Sequence, residues 1–339
     1  MRSTTHALTA RRLSQSEWSA LAPGKPLVLG ALGYGTPVRR GGLPASVRGA
    51  LLDGSAAAID VWCSVEERCR TGQSGSVRWR HDGHWLFGAL ELDEAQGEDL
   101  TALAERAYGD VFAALEASGC PHLLRLWNAL PGINADASGL ERYRRFNAGR
   151  QQAFLAARRA AFEGAPAASA LGIGKGPFSV RFLAGRTRPV AIENPRQVSA
   201  YHYPRDYGPK SPTFSRAALV EAGAGQVALL ISGTASIVGH ASVHAGDVEA
   251  QAHETLANLF AVIGAAHART SARFELPSMD LTVYLRRPAH APLVRRLLGV
   301  ALGARSTALR SAVYLQADIC RSELLVEIEA HGFARGTVG

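Results

Sequence analysis

The sequence predicts an α+β protein built of two related units, each a mainly antiparallel sheet with helices packed on one face. Three observations predict it. Apolar runs of period two alternate with runs of helical period. The same order of elements occurs twice along the chain. Finally, 47% hydrophobic and 19% charged residues, mixed through 339 positions, are the composition of a globular protein.

The first unit starts at Ser76. Residues 76–80 and 84–92 alternate apolar and polar, and Asp82-Gly83 between them is a hairpin signal. Gly97-Glu98-Asp99 then opens a helix to about Ser118, closed by Gly119. Its apolar positions Leu100, Leu103, Ala104, Tyr108, Val111, Phe112 and Leu115 share one face. Residues 123–127 read as the next strand. A helix over 140–163 and Gly/Pro-rich loops fill residues 135–203, where the units divide into 1–150 and 151–339.

The second unit repeats this order. Residues 226–232 and 234–238 read as strands, and Gly246-Asp247 opens a helix to about Ala266. Asp247, like Asp99, stands where a helix N-terminus favours an acceptor and a negative charge. Residues 281–285 form a strand, 292–302 a helix, and 311–316 and 324–330 the last strands. Residues 1–70 carry no placeable motif, and 1–12 read as a loose polar leader without the apolar stretch of a secretory signal.

Several function classes are disfavoured. No run of eighteen apolar residues exists, so no membrane partner is expected. Cys63, Cys69, Cys120 and Cys320 form no CxxC pair, and the eleven histidines form no HxxxH or HExxH, so no metal is expected. Reduced thiols in a cytoplasm fit this usage. The formal charge of +8 suits nucleic acid, acidic lipid or a small anion. The arginines are dispersed, without a lysine-rich tail or aromatic–basic repeats, which favours the small anion over nucleic acid. The glycines of Leu171-Gly172-Ile173-Gly174-Lys175-Gly176 lack P-loop spacing and read as a connecting loop.

Two resemblances sharpen this reading. Tyr207-Gly208-Pro209, Phe214-Ser215-Arg216-Ala217, Ser232-Gly233-Thr234-Ala235-Ser236, Gly246-Asp247-Val248, Leu256-Ala257-Asn258-Leu259 and Val326-Glu327-Ile328-Glu329-Ala330 resemble the YjgF/RidA-like family. This implies two RidA/YjgF-like domains, the first degenerate and the second catalytic, with the active site at or near their interface. Upstream, Trp127-Asn128, Pro131-Gly132-Ile133-Asn134, Arg142-Tyr143-Arg144-Arg145-Phe146-Asn147 with Gly149-Arg150, Ala168-Ser169-Ala170-Leu171-Gly172, and Gln197-Val198-Ser199-Ala200-Tyr201-His202-Tyr203-Pro204 resemble the chorismatase family. Chorismatases remove pyruvate from chorismate without metal or cofactor, giving a dihydroxycyclohexadiene carboxylate, 3-hydroxybenzoate, or both 3- and 4-hydroxybenzoate.

Chorismate carries two carboxylates, and arginine forks suit each of them. The resemblance implies Tyr143 and Arg150 as substrate contacts, with Tyr201, Arg216 and Thr234. Arg310 is added from a RidA-like position offset by a couple of residues. On strand 324–330, Glu327 and Glu329 share a face. Spacing alone leaves them on an exposed edge or in a cleft; the resemblance places the catalytic acid at Glu327. It also pairs Gly233 with Cys320 in the 3-hydroxybenzoate-forming members. The competing readings are a diene-forming hydrolase, a RidA-like imine deaminase or metabolite-binding protein, and a nucleic-acid binder. The oligomeric state is left open by the sequence; two fused repeats able to mimic part of a trimer within one chain make a monomer plausible.

Overall fold

A computed structural model describes residues 6–339 apart from 22–26, 36–37, 39–41, 54, 56–57, 67, 96–97 and 138. Residues 1–5 of the predicted leader and Gly97 of the predicted helix start lie outside the described residues. The chain opens with β1 (Leu8–Leu13), α1 (Gln15–Ala20), β2 (Leu27–Tyr34), β3 (Leu43–Val47) and β4 (Ile59–Ser64). These strands form a four-stranded sheet of order β1-β4-β2-β3. The leader reading is therefore corrected. Leu8 and Leu13 are buried while Arg11 stays exposed, so basic residues mask a half-buried strand.

Next come β5 (Arg70–Ser74), β6 (Val77–His81), β7 (Trp85–Leu92), α2 (Leu100–Ser118) and β8 (His122–Pro131). The hairpin β9 (Asp136–Ala137) and β10 (Leu140–Glu141) leads into α3 (Arg142–Ala156), then β11 (Ala167–Ile173) and β12 (Phe178–Gly185). The second half holds β13 (Val190–Ile192), β14 (Ala217–Gly223), β15 (Gln226–Ala235), β16 (Ile237–Val238), β17 (Ala241–Ser242) and α4 (Val248–His267). It ends with β18 (Asp280–Leu285), α5 (Ala291–Leu302), α6 (Thr307–Ser311), β19 (Val313–Gln316), β20 (Asp318–Ile319) and β21 (Val326–Arg335).

The α+β class holds, with one seven-stranded sheet of order β20-β11-β8-β12-β7-β6-β5 and one six-stranded sheet of order β13-β14-β15-β21-β18-β19. Both are mainly antiparallel; β11 with β8 and β18 with β19 are the parallel pairs within them. Where loops were expected, β11 and β12 occupy the middle of the first sheet. Their residues are buried throughout, so the polar–apolar alternation that marks a half-exposed strand is missing. Gly174-Lys175-Gly176 is the turn between them. As a result the passage from one large sheet to the other falls after Gly185, not at the expected 150/151 division. Expected strand 311–316 is likewise split: α6 ends at Ser311 and β19 begins at Val313.

Helices cover the outer faces. Leu103, Tyr108, Phe112 and Phe154 of α2 and α3 pack beneath the seven-stranded sheet, and Leu256, Leu259, Val294 and Leu298 of α4 and α5 beneath the six-stranded one. Gly149 sets the approach of α3 to α2: a Cβ there would lie 2.0 Å from the Thr101 carbonyl oxygen. The inner faces meet each other through Trp62, Trp85, Phe87, Trp127, Leu230, Tyr284 and Val313. No helix among the described residues is long and apolar enough to cross a membrane.

A buried ion pair stitches the N-terminal sheet to the C-terminal half. Arg12 donates to Asp60 from Nε (2.6 Å) and Nη2 (2.8 Å), to Thr282 Oγ1 (2.9 Å), and to the carbonyls of Leu281 and Ser311. Both side chains are 1% exposed. Removing one partner strands a charge in a medium that cannot solvate it. Arg12→Ala should cost about 3–5 kcal/mol of unfolding free energy in urea titrations; a loss near zero would refute the stitching role.

Candidate active site

The site grows from the alternation of β21. This strand lies inside the six-stranded sheet, between β15 and β18, so the exposed-edge alternative does not apply. Val326 and Ile328 enter the core under α4 and α5. Glu327 and Glu329 point the other way, into the space between the two large sheets, and are 3% and 4% exposed. Two carboxyl groups on one buried face cannot both be left without partners.

Glu329 is fully partnered. Arg125 Nη2 donates to its Oε2 (2.5 Å), Ser169 Oγ donates to the same oxygen (2.7 Å), and Trp127 Nε1 donates to Oε1 (3.2 Å). Arg125 and Trp127 come from one face of β8, and Ser169 from β11 beside it. Ser169 Oγ also accepts from the Gly233 amide at 3.0 Å and from Arg125. One hydroxyl thus ties β11, β15 and β21 together.

Glu327 is the opposite case. Its Oε1 is buried and has no hydrogen-bond partner among the described residues. Burial first, and the neighbouring Glu329 charge second, push its carboxyl up to about 8, against opposing pulls from Arg125 and Arg216. An acid with that value holds its proton at neutral pH yet can give it up.

Gly233 adjoins this carboxyl because β15 is bulged. Ile231 pairs with Ala330 and Thr234 with Ile328, so Ser232 and Gly233 together oppose Glu329. A Cβ at Gly233 would lie 2.0 Å from Oε1 of Glu327, which leaves no room for a methyl while that side chain stays where it is. Cys320, just after β20, completes this end. Its enclosure first, then the Glu327 charge, push the thiol up to about 12, so it remains a thiol.

A cavity of about 170 Å³ opens onto these three residues. Its wall draws on both halves of the chain: Tyr143 and Arg144 from α3, and Tyr203, Tyr207, Arg216 and Arg321 from the second half. Enclosure raises the Tyr143 phenol above its usual range, with the nearby Cys320 adding to it. Arg216 donates from Nη2 to Tyr203 Oη (2.7 Å) and to the Val198 carbonyl (3.0 Å), and its guanidinium lies over the rings of Phe214 and Tyr203.

Of the predicted residues, the structure therefore gathers Glu327, Gly233, Cys320, Tyr143 and Arg216. Arg150 is not in the wall. It is 1% exposed behind Tyr143, stacked on Phe146 (4.7 Å) and donating to Asn147 (2.9 Å). Thr234 is turned into the strand, its hydroxyl on the Ser232 carbonyl (2.9 Å), and the Tyr201 ring packs on His202; neither lines the cavity. Arg310 is a correction. It is exposed on α6 and donates to the Arg305 carbonyl and Thr307 within its own segment, because the local helix turns it to solvent. Sequence reasoning missed Arg125, Ser169, Arg144, Tyr207 and Arg321. The only sign of them was that most fall inside or beside the motifs quoted above. Among the described residues, no group of three or more His, Cys, Asp or Glu side chains could hold a metal ion.

Comparison with known proteins bears on the family and the fold. Residues 60–184 match the family model for the N-terminal part of FkbO/Hyg5-like chorismatases. A 3-hydroxybenzoate synthase of Streptomyces hygroscopicus is 37% identical over 281 residues, covering 80% of each chain. A chorismatase of Streptomyces rapamycinicus is 39% identical over 266 residues, covering 76% of this chain and 78% of that one. This chain belongs to the chorismatase family. A chorismatase crystal structure at 1.08 Å superposes with a TM-score of 0.83 at 32% identity, over 97% of this chain and 99% of that one. The agreement of these lengths means that the chorismatase fold is matched in both halves, including the sheets that meet at the cavity.

The Glu327–Glu329 pair gives a pH test. An acid must be protonated to act, so activity falls as pH rises through its pKa. Glu329→Gln removes the neighbouring negative charge and frees Arg125, both of which favour the ionised form of Glu327. The alkaline limb of the pH–rate profile should move down by roughly one to three units; an unmoved limb would show that Glu329 does not set this proton.

Proposed function

We propose that this chorismatase converts chorismate to pyruvate and 3-hydroxybenzoate, with 4-hydroxybenzoate as a possible second product, and that Glu327 is its proton donor. The observation that carries the reading is a buried carboxylic acid with an unpartnered oxygen, facing a cavity walled by arginines and tyrosines. The family relatives named as 3-hydroxybenzoate synthase and chorismatase supply the substrate class.

In this mechanism Glu327 delivers its proton to the methylene carbon of the enolpyruvyl ether. The ether oxygen then carries an oxocarbenium charge, which the new carboxylate stabilises while the ring C–O bond weakens. In place of water, the neighbouring ring hydroxyl bonds to the ether-bearing ring carbon and gives its proton back to Glu327, while that carbon's bond to the ether oxygen breaks and pyruvate departs. The bridging oxygen is then protonated as its bond to its original carbon breaks, the hydrogen on the attacked carbon leaves as a proton, and the ring becomes aromatic. The atoms of chorismate are conserved between the two products. Cys320, held as a thiol beside Glu327, is suited to relay a proton and not to act as a nucleophile.

Gly233 bears on which product forms. Glycine here leaves the space that the Glu327 carboxyl occupies, so alanine would displace the acid relative to the ring as well as narrow the cavity. The same reading takes the chain as two related units meeting at the cavity, acting as a monomer.

Incubation with chorismate followed by chromatography should yield 3-hydroxybenzoate, and pyruvate in an amount equal to the 3- and 4-hydroxybenzoate together. Glu327→Gln, which keeps the shape but holds no transferable proton of that acidity, should slow turnover by about 10²–10⁴-fold; a variant as fast as the parent would sink the assignment. Gly233→Ala combined with Cys320→Val should divert product to the non-aromatic diene, read by its ultraviolet absorption, and unchanged 3-hydroxybenzoate would count against their role.

A further inference from the structure

Three polar atoms of the cavity wall are buried without a hydrogen-bond partner: Oε1 of Glu327, Nε of Arg216 and Nη2 of Arg321. A buried N–H of a charged group costs free energy unless something accepts from it. Two guanidinium groups of the wall thus each carry an N–H without an acceptor, and the reaction leaves Arg321 without a task.

Arg321 is also held still. Its guanidinium lies 4.0 Å from the ring centre of Tyr207 and 5.1 Å from that of Tyr203. Its Nη1 donates to the His240 carbonyl (2.8 Å) and to Ser242 Oγ (3.0 Å), which anchors it on the β16–β17 hairpin. Tyr207 is in turn held by His240, through a ring contact and a 3.3 Å hydrogen bond. The remaining cavity arginine, Arg144, faces Glu141 at 3.5 Å. Among the acids of the wall, Glu323 is held below the usual carboxylate range against its burial, by a hydrogen bond with Ser242 and by the nearby Arg321 charge, yet it accepts no hydrogen bond from Arg321 Nη2. A planar fork in a cavity wall, with one arm fixed by protein and the other without an acceptor, is suited to receive a carboxylate.

We propose that Arg321 is the second carboxylate receptor of this cavity, its Nη2 taking one carboxylate of the dianionic substrate while Arg216 takes the other. This rests on the chorismate reading above and adds the residue that completes it: Arg321 fills the place expected of Arg310. Specificity follows from the pair. A substrate with a single carboxylate leaves one buried guanidinium arm unmatched, and a site built to bond a missing group rejects the analogue strongly.

The test uses the full chain, steady-state kinetics with chorismate, thermal melts, and inhibition by pyruvate and by 3-hydroxybenzoate, each of which carries one of the two carboxylates. Arg321→Gln should raise KM by about 10- to 100-fold, the loss of one charge-assisted hydrogen bond, with a smaller change in kcat and an unchanged melting temperature. One of the two inhibitors should weaken by a similar factor while the other binds as before. Arg321→Lys, which keeps the charge but loses the fork, should recover part of the loss. An unchanged KM in folded Arg321→Gln overturns the proposal, as does an equal weakening of both inhibitors. If Arg321→Gln does not fold, Arg321→Lys decides alone, and a KM equal to the parent's overturns it. A parent enzyme that releases no pyruvate would instead count against the reaction itself.

Discussion

The ion pair between Arg125 and Glu329 is the constraint on which the site depends. It crosses from the seven-stranded sheet to the six-stranded sheet where water is excluded, so neither charge can be left alone. Because Ser169 joins the same carboxylate and also accepts from Gly233, the pair fixes the distance between β11, β15 and β21 at the bulge. The bulge, in turn, puts the one residue without a Cβ against the Glu327 carboxyl. Removing any one of these contacts would leave buried polar groups unmatched elsewhere in the network.

That arrangement divides two chemically identical side chains into different roles. Glu329 has three donors and is fixed in place by them. Glu327, two residues earlier, has a buried oxygen with no donor, and the charge of Glu329 adds to burial in favouring its protonated form. The environments set the roles. A strand is the right support for this division, since period two puts both carboxyls on one face while the cross-strand neighbours of each differ.

The cavity wall applies the same logic to positive charge. Arg144 faces Glu141, whereas Arg216 and Arg321 each keep an N–H without an acceptor. Arg150, the most strongly implicated arginine of the motif helix, lies behind Tyr143 and acts on that ring's surroundings from within the core. Stacking on tyrosines and hydrogen bonds from one arm hold these guanidiniums in place while one N–H of each stays unused, which is the preorganisation that anion binding needs.

The sequence by itself determined the α+β class, the helices opened by Asp99 and Asp247, the shared face of Glu327 and Glu329, and the motifs that carry the family. These rest on local periodicity, capping chemistry and contiguous residues, which need no knowledge of distant parts of the chain. It left β11 and β12 unread because strands buried on both faces lose their alternation, and it hid β1 behind arginines. Only the tertiary structure decided that the glutamate face is enclosed, that Arg125 and Ser169 complete it, and that Arg321 and not Arg310 reaches the cavity. Each of those facts is a contact between residues from about 80 to more than 200 positions apart. Burial and pairing at such range are properties of packed sheets, and no spacing along the chain encodes them.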